Sequence, residues 1–260
     1  MIHHVVFVVG SPGAGKTTAL RALALPAHYS LRDTEVRWTL TPPFALIGNY
    51  EGSLFADSSN QGGDSVARHA NLLSLEYWRR NIYPDPAIKA TLLDGEMYLW
   101  SRIFEAFGSH SLQFVTDQDL NYKPAGDEAL FASEKYEKGG LYSRTYKQIL
   151  EADPERFPIR VQEPVERSLR VSCVNLVIPP ELALARRNSR EASAAEDKAK
   201  LSDSQFRTVA SKQRNFADRF KEVAESFFIQ DDNPLGYLEI EVEGKNPVEV
   251  SKLISDFALS

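Results

Sequence analysis

The chain holds a single cysteine, Cys173, among 260 residues, which excludes an internal disulfide and suits a reducing compartment. Cys173 sits in an apolar run, where an inert buried thiol is expected rather than a nucleophile. No stretch approaches the roughly 18 consecutive apolar residues that a membrane span needs, so no span is expected. The short apolar run at 5–9 has neither a basic flank nor a small-residue cleavage site, so it reads as a core strand and not as a signal peptide. Net positive charge is lacking too. The balance of −6 argues against a protein that binds nucleic acid over its whole surface. No internal repeat or low-complexity tract stands out.

What is present is ordinary in bulk and specific in one place. A 43% hydrophobic and 25% charged composition fits a globular chain, and 260 residues suffice for one large domain or a core with an insertion. The specific place is Gly10-Ser11-Pro12-Gly13-Ala14-Gly15-Lys16-Thr17, a complete G-x-x-x-x-G-K-T string directly after the strand-like run 4–9. In that context backbone N–H groups and a helix N-terminus both face an anion. The residues 16–25 read as the helix, stopped by Pro26. A nucleoside triphosphate is therefore expected on Gly10–Thr17 and Thr18. Lys16 would reach the β- and γ-phosphates, and the Thr17 hydroxyl would bind Mg²⁺.

Strand-like runs occur at 3–9, 36–41, 44–47, 88–93, 112–116, 169–178 and 237–242. Helical patterns lie at 16–25, 65–80, 97–107, 181–190, 203–229 and 247–259. The last is the best specified: Asn246 caps it, Pro247 takes its first turn, and Glu249 has capping-box spacing. Its apolar stripe is Val250, Leu253, Ile254 and Phe257. The alternation of strands and helices predicts a single α/β domain over 1–260, with a mainly parallel sheet covered by helices on both faces. Residues 119–167 break the rhythm with Gly139-Gly140 and four prolines, and read as a helical, polar insertion.

Three further stretches are candidates for the site. The strand 88–93 runs into Asp94-Gly95-Glu96, which places both carboxylates at the carboxyl rim of the sheet. There, Asp94 or Glu96 could hold Mg²⁺ through water or take a proton from an attacking hydroxyl. Asp94 could equally cap the helix expected from Met97. From Arg186 to Lys221 there are ten Lys/Arg against five Asp/Glu, a local charge of +5 on an acidic chain. With the polar, alanine-rich segment 188–204, this reads as a basic lid at 186–221. Arg187 and Arg190, at i and i+3, share a helix face toward the phosphates. Arg186, Lys212, Arg214 and Arg219 are further members of this cluster. The stretch 48–68 joins a strand to a helix and carries Tyr50, Asp64 and Arg68, which read as an acceptor site. Tyr50 would stack on a base, while Asp64 and Arg68 would meet hydroxyl and phosphate groups. Asp64 is also a plausible cap for the helix 65–80.

The missing strings narrow the class. No N-K-x-D and no D-x-x-G after the loop disfavour a Ras-like GTPase, and Asp94-Gly95-Glu96 is not the adjacent acid pair of an ATPase motor. A kinase fits, because it needs cations and excluded water around the γ-phosphoryl group. In order, the strand, GSPGAGKT, the acceptor stretch, LLDGE and VNLVIPPELALARR resemble small P-loop kinases of the nucleotide-kinase superfamily. Gly48-Asn49-Tyr50 with Gly62-Gly63-Asp64-Ser65 resembles a phage-type branch that includes kinases of 5-hydroxymethyluracil in DNA. A glycine precedes Asp64 where that branch also has threonine, which bears on the acceptor more than on the chemistry. The resemblance implies ATP and Mg²⁺ as cofactors, with Lys16 and Thr17 as their ligands. It further implies Asp94 as base or metal partner, Arg187 or Arg190 as lid cation, and a cytoplasmic location (the host's, for a phage protein). The acceptor would be nucleotide-like, either free or within DNA. A regulatory nucleotide-binding protein without an acceptor is the alternative class.

Overall fold

The central strand is buried on both sides, and its sequence requires that. The computed structural model describes residues 2–24, 29–31, 38–50, 62, 82–94, 168–193, 202–226 and 235–260. Its elements run β1 (Ile2–Val9), α1 (Lys16–Ala24), β2 (Tyr29–Leu31), β3 (Trp38–Thr41), β4 (Phe44–Ile47), β5 (Ala90–Asp94), β6 (Ser168–Val177), α2 (Pro180–Ser193), α3 (Asp203–Ser226), β7 (Leu235–Glu241) and α4 (Pro247–Leu259). In β1 every side chain from His3 to Val9 is buried, a pattern that needs cover on both faces of the sheet. Successive residues of a strand point to opposite faces. Val6 and Val8 join a core with Ala19, Leu20 and Ala24 of α1 and Val250, Ile254 and Ala258 of α4. Phe7, one step out of phase, meets Phe216 of α3 edge-on, with ring centroids 6.1 Å apart. Helices therefore cover both faces.

The seven strands lie in the order β2-β3-β4-β5-β1-β6-β7. From β4 to β7 all neighbours are parallel, while β3 runs antiparallel to both β4 and β2. The sheet is thus mixed but mostly parallel, an α/β arrangement. The antiparallel part follows from a tight hairpin: Thr41 pairs with Phe44 across the two prolines of a cis Pro42–Pro43 turn. The carbonyl of Pro43 then accepts from the N–H groups of Lys89 and Ala90 at 2.7 and 3.2 Å. That contact aligns the hairpin with the start of β5.

Register fixes what meets at the carboxyl rim. Val8 of β1 is paired with Asp94 of β5, Ile47 of β4 with Leu93, and Val9 with Asn175 of β6. The loop leaving β1, the end of β5 and the chain leaving β4 consequently share one edge of the sheet, where α/β sheets hold ligands. At the far end of the chain α4 has the expected boundaries and cap. The Asn246 side chain accepts from the N–H groups of Val248 and Glu249 at 2.9 and 3.0 Å. Glu249 answers by accepting from the Asn246 N–H at 2.8 Å.

Several boundaries differ from expectation. The strand expected at 88–93 begins at Ala90, because Ile88 closes a turn onto the carbonyl of Asp85. β2, only three residues long, was not foreseen; so short a strand carries no periodic signal. Outside the described residues lie the strand expected at 112–116, the helices at 65–80 and 97–107, and the insertion at 119–167. Cys173 is buried and its thiol is pushed well up by burial, as expected of an inert core residue. Among the described residues no helix is long and apolar enough to cross a membrane.

Candidate functional site

The turn after β1 is built from three glycines at positive φ: Gly10 at 138°, Gly13 at 90° and Gly15 at 88°. At Gly13 the space also matters. A Cβ there would lie 2.4 Å from the carbonyl oxygen of Ala183, so the loop backbone packs directly on α2. The loop closes on itself through the Ala14 N–H, which donates to the Ser11 carbonyl at 3.0 Å. Lys16 arches back over it, with Nζ donating to the carbonyls of Gly10 at 2.7 Å and Ser11 at 3.2 Å. Ala14 is buried, while Ser11, Pro12, Gly13, Gly15, Lys16, Thr17 and Thr18 remain half-buried.

Asp94 reaches this loop by strand alternation. It shares a face with Ala90 and Leu92, and both of those pack in the core that α1 covers. Its side chain is buried and meets Thr17, the second residue of α1, whose hydroxyl donates to Oδ2 at 2.5 Å. The hydroxyl of Tyr50 donates to the other oxygen, Oδ1, in a short hydrogen bond. Tyr50 is itself fixed from behind: its N–H donates to Thr39 Oγ1 at 3.2 Å, and the Thr39 hydroxyl donates to the Gly48 carbonyl at 3.0 Å. Gly62 stands on the remaining side. Its N–H donates to the Asn49 carbonyl at 2.7 Å. A Cβ on Gly62 would meet Thr17 Cγ2 at 2.7 Å, Thr17 Oγ1 at 2.9 Å and Asp94 Oδ1 at 3.0 Å.

The structure thus brings Lys16, Thr17, Asp94 and Tyr50 together with the Gly10–Thr18 turn. Two expected roles need correction. Tyr50 is not a stacking platform: its ring is wholly buried in the core and its hydroxyl is engaged by Asp94. Arg187 is not held out as a cation toward a triphosphate. It is 8% exposed, its guanidinium lies 5.2 Å from the ring centroid of Phe206, and Nη1 is 3.8 Å from Asp203. Packing of α2 against the start of α3 therefore holds this charge in place. Arg186 is half-buried and Arg214 exposed. Asp64, Arg68 and Glu96, and the side chains of Arg190, Lys212 and Arg219, fall outside the described residues.

One contact had no signal in the sequence. Gln213 of α3 reaches over the sheet edge, and its Oε1 accepts from the Gly10 N–H at 3.1 Å. A glutamine in a long polar helix looks like any other exposed residue until the helix is seated on β1. Thr39 was findable in principle, as one of two hydroxyls alternating with Trp38 and Leu40 in a short buried strand.

Chemically, the turn offers backbone donors and one ammonium group to an anion, and Thr17 with Asp94 offers a hydroxyl and a carboxylate to a hard cation. The backbone at Gly15 is open, with nothing within 4 Å of where a Cβ would be. Among the described residues no three His, Cys, Asp or Glu side chains converge on a metal position. No family model, curated protein or solved structure matches this chain.

Proposed function

We propose that this protein is a nucleotide-dependent phosphotransferase of the P-loop kinase type, using ATP and Mg²⁺. The observation that carries the reading is the contact between Thr17 and Asp94, 2.5 Å apart at the mouth of a Gly10–Thr17 turn that also holds Lys16. Sequence separates these two residues by 77 positions. Pairing of β1 with β5 sets a hydroxyl and a carboxylate side by side next to an anion-binding turn. A core serving stability alone has little use for a buried carboxylate at that position, since burying charge is costly.

In this reading the loop N–H groups and Lys16 bind and orient the triphosphate. Lys16 exchanges its bonds to the Gly10 and Ser11 carbonyls for phosphate oxygens. Thr17 would hold Mg²⁺ directly and Asp94 would do so through water, and the metal supplies neutralisation of charge on the transferred group. The acceptor is nucleotide-like. The hydroxyl of 5-hydroxymethyluracil in phage DNA is the narrower assignment, and a free nucleoside or nucleotide is the other. The net charge of −6 favours a small acceptor, while the basic 186–221 segment supports a charged strand.

The test is transfer of labelled γ-phosphate to two panels, free nucleosides and nucleotides against normal and hydroxymethylated DNA. Transfer to one panel, abolished by Lys16→Ala, is the expected result. Removing a preorganised cation from transferring phosphate costs about 10²–10³ in rate or more. Tight ATP binding with no transfer to either panel would instead favour the regulatory class.

A further inference from the structure

We infer that Tyr50 is the positioning residue of the Thr17–Asp94 pair: it sets the plane of the carboxylate and commits Asp94 to the metal rather than to the acceptor's proton. The inference rests on the nucleotide-binding reading of the turn and goes beyond it, because that reading leaves Asp94 as base or metal partner.

Three observations converge. Thr17 donates to Oδ2 and Tyr50 to Oδ1, so each carboxylate oxygen already accepts from a hydroxyl, one from each side. The Tyr50 ring is wholly buried, and its main chain is tied through Thr39 to Gly48, so its hydroxyl cannot swing with a side-chain rotation. Gly62 lies at the same corner: a Cβ added to it would fall 3.0 Å from Oδ1 and 2.9 Å from Thr17 Oγ1, so only glycine leaves this pair undisturbed. A general base must present an oxygen within hydrogen-bond reach of the proton it takes. Oδ1 is instead engaged by the buried Tyr50 phenol. Oδ2 faces Thr17, whose hydroxyl keeps its proton directed at the carboxylate and leaves an oxygen lone pair for a cation. Orientation of a ligand by a second hydrogen bond is the usual way a hard-cation site is fixed in geometry.

A plain core role predicts something different. A buried tyrosine needs a partner for its hydroxyl, and Asp94 would serve as one without any consequence for metal. The two are separated by measuring ATP binding calorimetrically over a range of free Mg²⁺, in wild type, Tyr50→Phe, Asp94→Asn and the double variant, with thermal melts alongside. Loss of a hydrogen bond to a charged group predicts that Tyr50→Phe raises the Mg²⁺ needed for half-maximal ATP binding about tenfold. ATP affinity without Mg²⁺ should stay unchanged. Asp94→Asn should abolish the Mg²⁺ dependence, and adding Tyr50→Phe to it should change nothing further. Wild-type half-saturation in Tyr50→Phe overturns the inference, as does an equal Tyr50→Phe effect in the Asp94→Asn background. Should Tyr50→Phe fail to fold, Thr39→Val replaces it. That variant frees the Tyr50 main chain and should move half-saturation in the same direction by a smaller factor; no movement sinks the idea. Absence of any ATP heat from folded wild type removes the nucleotide reading itself, a result distinct from a normal wild type with an unaltered Tyr50→Phe.

Discussion

Gly62 stands directly against the Thr17–Asp94 pair. It has φ at +64°, and a Cβ would fall 2.7 and 2.9 Å from Thr17 and 3.0 Å from Asp94. An L-residue in the left-handed region costs about 1–2 kcal/mol before any contact is counted. The contact then falls on the hydroxyl and carboxylate that the site uses. Gly62→Ala is expected to lower the melting temperature and to weaken Mg²⁺-dependent ATP binding more than metal-free binding, because the added methyl meets Thr17 and Asp94 and not Lys16 or the turn glycines. Calorimetry with and without Mg²⁺ checks this; equal weakening in both would mean that Gly62 matters only for packing. Asp94→Asn tests the same corner by charge. It keeps the shape but removes the charge and one of the two acceptor oxygens, and should lower turnover by orders of magnitude with modest change in metal-free ATP affinity. A fully active Asp94→Asn would reduce that residue to a structural role.

At the scale of elements, the seating of α2 on the Gly10–Thr17 turn is set by Gly13, where a Cβ would stand 2.4 Å from the backbone oxygen of Ala183. Gly15 gives the control: its φ is also positive, at 88°, yet nothing lies within 4 Å of its missing Cβ. Both alanine variants suffer backbone strain, but only Gly13→Ala must also move α2. Its urea midpoint should fall below that of Gly15→Ala, and equal midpoints would show that α2 tolerates the shift. The comparison also explains what could be read before folding. The boundaries of α4 are written locally, because Asn246 and Glu249 sit three residues apart and satisfy each other's backbone. The strand–turn–helix of β1 and α1 is local as well. The adjacency of Asp94 to Thr17 follows from a parallel β5 that ends at the same rim as β1. The role of Arg187 was not legible, since it depends on Phe206 and Asp203 from the next helix. Nor was that of Tyr50: an aromatic residue in a glycine-rich stretch looks exposed until β4 and β5 carry it inward to Asp94. Contacts such as Gln213 with Gly10, 203 residues apart, are decided by tertiary packing alone.

Across the whole molecule, the rim that holds the site depends on a central strand anchored at its other end, and His4 is that anchor. Its Nδ1 lies 3.0 Å from the carbonyl of Ala258, near the end of α4, and a carbonyl can only accept, so Nδ1 carries the proton. Nε2 is then the acceptor for the Ser172 hydroxyl of β6 at 2.5 Å. One neutral imidazole thus ties β1, β6 and the last turn of α4 together, with the Phe257 ring 5.8 Å away. Burial lowers the pKa of His4 from 6.5 to about 4; the Ala258 carbonyl pulls it upward and the charge of Arg170 pushes it further down. In the unfolded chain the ring titrates near 6.5, so between about 6.5 and 4 the unfolded state binds more protons than the folded one. Stability from this group is therefore full above 6.5 and is lost as pH falls through that window, by roughly 3 kcal/mol at 1.36 kcal/mol per pKa unit. His4→Gln removes the titration but keeps a polar side chain. At pH 7.5 it should be less stable than wild type by about 1–2 kcal/mol, from the lost buried hydrogen bonds. On acidification the two proteins should converge at about pH 5.5 and cross below it, since only wild type loses roughly 3 kcal/mol to protonation of its unfolded state. Urea unfolding of both at pH 7.5, 6.5, 5.5 and 4.5 measures the difference directly, and parallel stability curves across the series would show that His4 is not the group that couples the α4 anchor to pH.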